Sequence, residues 1–138
     1  MPNRRDLQEL ARIRLREARL LLRAGMWDGA YYLAGYAAEC GLKACIAKMV
    51  RRYDFPDRNL ANESWKHDLD ALVRTAGLSA DLRASMAADP VFERYWGVAK
   101  DWKETSRYER RTRREAEGLI LAVGDPRHGV LKWIRRYW

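Results

Sequence analysis

The amino-acid sequence predicts an all-α protein, on the basis of its composition and the spacing of its apolar residues. Alanine and leucine occur 19 and 16 times, whereas the β-branched residues comprise only 6 valines, 4 isoleucines and 3 threonines. Because β-branched side chains favour strands and alanine and leucine favour helices, a mainly β fold is disfavoured. Apolar residues in several segments repeat at three- and four-residue steps, the spacing of an amphipathic helix. The length of 138 residues predicts a single domain, residues 1–138.

The first part of the chain predicts two long helices. Leucines and alanines line one side of residues 3–24, and Gly25 follows as a C-terminal stop. The second helix is predicted over residues 29–52, with Asp28 as its N-cap. Apolar side chains surround this helix on nearly all sides, which is typical of a central helix or of one that also forms an interface.

The second part of the chain predicts shorter helices. Turn-forming residues at positions 54–64 predict a loop after the second long helix. Beyond it, capping residues and prolines mark the starts or ends of most helices. The predicted helices follow in the order 65–78, 79–88, 90–102, 112–123 and 129–138.

Charge and cysteine usage narrow the functional classes. Lysine and arginine exceed aspartate and glutamate by 27 to 19, and the net charge of +8 favours an anionic partner such as a nucleotide or a nucleic acid. Cys40 and Cys45 are predicted to be buried free thiols, since a separation of five on a helix points them to different faces. Two cysteines and two distant histidines form no recognisable metal-ligand set, so no metal or cofactor is expected. No apolar signal segment or uncharged membrane-spanning stretch is present, and we expect a soluble cytoplasmic protein.

Four segments, in this order along the chain, resemble the HEPN family, the nucleotide-binding helical domain of higher eukaryotes and prokaryotes. The sequence AAECGLKACI at 37–46 is similar to the family's Ala-x-Glu-x-x-Leu-Lys-Ala pattern. His67-Asp68-Leu69, Arg107-Tyr108 and the segment REAEGLILAV at 114–123 follow it. The resemblance covers about residues 7 to 134.

The resemblance implies an up-and-down antiparallel bundle of four to five helices with short extra helices, and a homodimer. It also implies a possible nucleotidyltransferase partner, because family members often pair with a minimal nucleotidyltransferase as toxin and antitoxin. Many members are metal-independent ribonucleases that use an arginine followed four to six residues later by a histidine. Here positions 111–114 read Arg-Thr-Arg-Arg, and the one later histidine, His128, follows Pro126. The sequence therefore favours a protein that binds RNA or a nucleotide and is not an enzyme.

Five residues are the candidates for this binding, and each also has a purely structural interpretation. Arg107 offers a planar fork for phosphate, or forms a surface ion pair. Tyr108 stacks on a base, or packs its ring against the aromatic helix, which is the helix predicted at 90–102. Glu39 and Lys43, spaced i,i+4, line a cleft or form an ordinary helix pair. His67 acts as an acid or base, or is a helix-capping or core-edge histidine.

The arginine-rich run RYERRTRR forms a second candidate. Its basic patch consists of Arg110, Arg111, Arg113 and Arg114, which contact RNA phosphates or form a solvated charged face.

Three hypotheses remain for the whole chain. The first is a non-catalytic nucleotide- or RNA-binding protein, the second a ribonuclease with a non-standard site that includes His67, and the third a structural helical dimerisation module. The dimer is expected to use the first two helices or the aromatic helix, because exposed apolar surface marks interfaces.

Overall fold

The computed structural model describes residues 2–52 and 66–138. Within these ranges it contains α-helices and one 3₁₀ helix and no strand, so the predicted all-α fold is confirmed. The 3₁₀ helix spans Glu104–Tyr108, between the helices Pro90–Ala99 and Arg113–Gly124. In chain order the described α-helices are α1 (Arg4–Arg23), α2 (Trp27–Arg52), α3 (Leu69–Thr75), α4 (Ser79–Ala88), α5 (Pro90–Ala99), α6 (Arg113–Gly124) and α7 (Val130–Arg135). The loop predicted at 54–64 lies outside the described residues.

Helices α1 and α2 form an antiparallel hairpin that builds much of the core. Asn3 begins α1 with a capping box, in which its side chain accepts from Asp6 N and the Asp6 side chain accepts from Asn3 N. Gly25 ends the helix at a φ of 78°, a left-handed conformation that favours glycine, as predicted. The short turn then returns the chain along α1, so that the two helices pack together over most of their length.

Helix α2 lies at the centre of the fold. Helices α1, α3, α6 and α7 and the 3₁₀ helix all contact it. These neighbours bury most of its apolar side chains, and they also bury Glu39. The apolar side chains around α2 are thus largely buried by helices of the same chain. They therefore no longer support the predicted homodimer.

The start of α2 differs from the prediction. The helix begins at Trp27, and Asp28 lies in its first turn and is not the N-cap. The carboxylate of Asp28 instead accepts a hydrogen bond from Arg111 N at 2.6 Å. This contact ties the segment before α6 to the start of α2, and a long-range contact of this kind leaves no mark in the local sequence.

The end of α5 also differs from the prediction. The helix stops at Ala99, so Trp102 lies beyond it, where it is fully buried. The Trp102 ring packs against α2 at Gly35, where a Cβ atom would come within 2.2 Å of ring atoms. Only a glycine leaves room for the indole here. This packing fixes the start of the segment that leads into the 3₁₀ helix.

Capping side chains define most of the shorter helices. Asp68 caps α3, Asp89 caps α5 and Thr112 caps α6.

The thiols of Cys40 and Cys45 are free and buried as predicted, and burial raises the pKa of each to about 12. Thiols with so high a pKa are poor nucleophiles at neutral pH. Across residues 2–52 and 66–138, no helix combines the length and apolar character that crossing a membrane requires.

Candidate functional site

The five predicted binding residues lie in one connected group, which a sixth residue, Glu104, completes. Lys43 Nζ lies 3.6 Å from Glu39 Oε2, and His67 Nδ1 lies 2.7 Å from Glu39 Oε1. His67 Nε2 lies 3.2 Å from Glu104 Oε2, and Arg107 Nη1 lies 3.8 Å from Glu104 Oε1. The guanidinium of Arg107 in turn lies 4.8 Å from the centre of the Tyr108 ring. We call this group the His67 cluster: Glu39, Lys43, His67, Glu104, Arg107 and Tyr108.

Three elements supply the His67 cluster. Glu39 and Lys43 are one turn apart on α2, and His67 directly precedes the N-cap of α3. Glu104 and Arg107 are three residues apart on the 3₁₀ helix, so their side chains lie on the same side. Lys103 N donates to the hydroxyl of Ser106, a buried residue that fixes this helix.

Glu39 is the most buried member of the cluster, with 1% of its surface exposed. Burial raises the pKa of this carboxyl above its ordinary value of 4.5, and Lys43 and His67 partly oppose that effect. A buried carboxylate is costly unless charged or hydrogen-bonding groups compensate it. The predicted Glu39–Lys43 pair therefore forms, but it is one part of a larger network.

His67 contacts a carboxylate with each of its ring nitrogens. A neutral imidazole donates from one nitrogen and accepts at the other, whereas the imidazolium donates from both. Two ionised carboxylates therefore fit the charged form of His67, and the neutral form fits a protonated Glu39. Helix capping by His67 is wrong, since the neighbouring Asp68 caps α3, whereas the partly exposed ring beside the buried Glu39 fits the core-edge alternative.

The pH dependence of stability should reveal the burial of Glu39. A carboxyl whose pKa is higher in the folded state stabilises the fold below its unfolded pKa, and this contribution is lost as the pH rises through the folded pKa. We therefore expect Glu39→Gln to gain stability relative to the wild type as the pH rises from about 4 to about 7. Urea denaturation across this range measures the difference in unfolding free energy. Glu9→Gln, at an exposed position of α1, controls for the change of charge. A difference for Glu39→Gln that does not change with pH would contradict the assignment.

Arg107 and Tyr108 form the accessible edge of the cluster. The Arg107 side chain is 47% exposed, and its contact with Glu104 is long. Tyr108 is 76% exposed, so the alternative in which its ring packs against α5 is wrong. The exposed aromatic ring supports the guanidinium from one side through a cation–π contact, and leaves its donors open to a ligand.

The four arginines of the basic patch differ in their exposure and in their ion pairs. Arg111 has only 19% of its side chain exposed, contacts Glu109 and Glu115 at 2.5 and 3.1 Å, and lies over the Tyr31 ring. Its role is therefore structural. Arg113 forms an i,i+4 ion pair with Glu117, while Arg110 and Arg114 are exposed.

Sequence reasoning missed Glu104 and the contact of His128 with Asp89. Glu104 joins His67 to Arg107, and its i,i+3 spacing from Arg107 was the one signal available for it. His128 is not part of the cluster, because its Nδ1 lies 2.7 Å from Asp89 Oδ2 at the start of α5. Among the described side chains, no group of three or more histidines, cysteines or acids is arranged to hold a metal ion.

Comparison with known protein families, with curated proteins and with solved structures finds no match to this chain. The interpretation of the His67 cluster therefore depends on its own chemistry and on the sequence resemblance.

Proposed function

We propose that the protein is a HEPN-like module that binds a nucleotide or RNA through the His67 cluster without cleaving it. It then acts as the partner of a minimal nucleotidyltransferase in a pair of the toxin–antitoxin type. One observation carries the binding proposal: the exposed Arg107 guanidinium lies over Tyr108 and joins the network of His67 and Lys43. Three basic side chains, Lys43, His67 and Arg107, are thus joined in one network through Glu39 and Glu104.

The chemistry of each exposed residue suits a phosphate and a base. Arg107 can donate two parallel hydrogen bonds to phosphate oxygens, a geometry that lysine does not match. The ring of Tyr108 is available for stacking on a base. Glu104 holds Arg107 loosely enough that a phosphate can replace it, because an ion pair at an exposed position is weak.

The contacts of His67 are the reason that we expect no cleavage. A general base needs a free ring nitrogen within reach of the proton that it removes. Both nitrogens of His67 are engaged by carboxylates. The arginines that follow Arg107 stay protonated and cannot accept a proton.

A ribonuclease remains the second candidate, because one contact favours it. The buried carboxylate of Glu39 lies 2.7 Å from His67 Nδ1 and can orient that ring, as a third group orients the base in many active sites. Catalysis would require Glu104 to move away from His67 Nε2. Cleavage of RNA in the presence of a chelator, and its loss in His67→Ala, would support this candidate.

Homodimerisation also stays a proposal. Three exposed large apolar residues lie at the end of α1, in the turn that follows it and at the start of α2: Leu20, Met26 and Trp27. Exposed apolar groups of this size suit an interface with a second copy of the chain. A purely structural dimerisation module, without nucleotide binding, is the alternative that the next experiment addresses.

The variant Arg107→Ala should weaken RNA binding. We expect the dissociation constant to rise about tenfold or more, which is the effect of losing charge-assisted hydrogen bonds to phosphate. Arg107→Lys should have an intermediate affinity, since it keeps the charge and loses the fork. The measurement is fluorescence anisotropy of a labelled single-stranded RNA at one fixed salt concentration. Arg83→Ala, at an exposed position of α4, removes the same charge elsewhere and should retain affinity. Equal losses in Arg107→Ala and Arg83→Ala would contradict the proposed site.

A further inference from the structure

A second basic surface lies between α1 and α7. There a groove of about 420 Å³ runs between the two helices, next to the end of α6. Its apolar lining includes Leu15, Val123 and Leu131, all three of which are buried. Five cationic side chains also line it: Arg12, Arg16, Arg19, Lys132 and Arg135.

The charges of these side chains are not neutralised by the fold. Within residues 2–52 and 66–138, no ion pair joins any of the five to a carboxylate. Their contacts are with neutral groups. Arg19 Nη2 donates to Gly124 O at 3.1 Å, Lys132 Nζ donates to Arg127 O at 2.9 Å, and Arg12 lies over the Trp138 ring. These contacts orient the side chains and leave their positive charge available to a ligand.

The basic surface continues beyond the groove in two directions. A neighbouring depression of about 560 Å³ shares Arg12 and Arg16 with it and adds Arg5. A smaller depression of about 150 Å³ shares Lys132 and adds Arg127 and Arg136. Glu9 and Asp89 are the acids along this path, and Asp89 is paired with His128. The positive surface is thus elongated, and a single nucleotide would occupy only part of it.

We propose that this α1–α7 groove binds the sugar–phosphate backbone of a single-stranded RNA. Arg12, Arg16 and Arg19 lie along one helix at steps of about 6 and about 4.5 Å, which gives a row of donors to successive phosphates. A flat bilayer fits the surface less well, because its apolar side chains are buried in the lining of a concave groove. The groove shares no residue with the His67 cluster, so the inference does not depend on the function proposed for that cluster.

Salt-dependent RNA binding tests the groove. The double variant Arg16→Ala with Arg135→Ala removes two exposed side chains that have no hydrogen-bond or ion-pair partner within residues 2–52 and 66–138. We expect about a tenfold loss of affinity for a fluorescein-labelled oligouridine. Each lost phosphate contact makes the slope of log affinity against log salt less negative by about 0.7 for a single strand, so the magnitude of the slope should fall by about 1.4.

Two matched variants separate the groove from overall charge. Arg74→Ala with Arg83→Ala removes the same charge from exposed positions of α3 and α4, and it should retain both affinity and slope. Arg16→Lys with Arg135→Lys keeps the charge and should largely retain the slope. Circular dichroism checks that all variants remain helical.

The outcomes distinguish the groove from its alternatives. The proposal is overturned if the groove variant binds oligouridine as tightly as the wild type does. It is also overturned if the control pair loses as much affinity as the groove variant, or if the wild type binds no RNA. If binding to phosphatidylcholine–phosphatidylserine vesicles is lost while RNA binding is kept, the groove binds a lipid surface and the proposal is again overturned. Loss of RNA affinity in Arg107→Ala alone supports binding at the His67 cluster and overturns binding at the groove. Loss of RNA affinity in the groove variant alone supports binding at the groove and contradicts the function proposed for the cluster.

Discussion

The variant Trp102→Ala is expected to lower the free energy of unfolding by about 3–5 kcal/mol, the range for removing a large buried aromatic side chain. Trp102 is fully buried, and its ring packs on Gly35 of α2 and 5.9 Å from the Tyr32 ring centre. Removing the indole leaves a cavity that this part of the core cannot refill, because α2 is held in place by helices on several sides. Urea denaturation followed by circular dichroism measures the loss.

Two comparisons make the Trp102 prediction specific. Trp27→Ala removes a partly exposed tryptophan at the start of α2 and should cost about 1 kcal/mol or less. Trp102→Phe should cost clearly less than Trp102→Ala, since it keeps a ring and removes the indole N–H, which is buried without a hydrogen-bond partner among the described residues. Similar losses for Trp27→Ala and Trp102→Ala would show that Trp102 does not anchor the segment before the 3₁₀ helix.

The variant Gly129→Ala should destabilise the protein by about 1–3 kcal/mol, the range for overpacking. A Cβ atom at this position would lie 2.4 Å from Asp125 O and 2.8 Å from Val123 O. These are backbone atoms of the last turn of α6 and of the residue that follows the helix, so they cannot move aside as a flexible side chain does. The turn must open, and α7 must shift away from α6.

Gly118→Ala is the matched control for Gly129→Ala. Gly118 lies in the interior of α6, and a Cβ atom there would have no neighbour within 4 Å. This substitution should stabilise the protein by about 0.5–1 kcal/mol, because alanine favours the helix. Thermal denaturation of both variants shows whether each substitution raises or lowers the stability of the protein. Destabilisation of similar size in both would contradict the close approach at Gly129.

The sequence predicted the features that depend on residues near one another in the chain. The start of α1 at Asn3, the stop at Gly25 and the Glu39–Lys43 pair follow from capping rules and helical spacing, which are local. The structure has each of them. The α2 start at Trp27 differs because Asp28 binds a backbone N–H that is distant in sequence.

The links between elements could not be predicted from spacing. The contact between His67 and Glu39 spans 28 residues of the sequence, and the α1–α7 groove combines cations from the two ends of the described chain. Such contacts depend on how the helices pack, which periodicity does not determine. The resemblance named five residues that prove to be neighbours, but it did not name Glu104, which joins two of them.

A single gel experiment tests whether the protein binds RNA without cleaving it. End-labelled single-stranded RNA is incubated with the wild-type protein in the presence of a chelator. One portion is run on a native gel and the other, after denaturation, on a sequencing gel. We expect a retarded complex from which full-length RNA is recovered. Absence of a complex would contradict the proposed binding of RNA, and recovery of shortened RNA would contradict binding without cleavage.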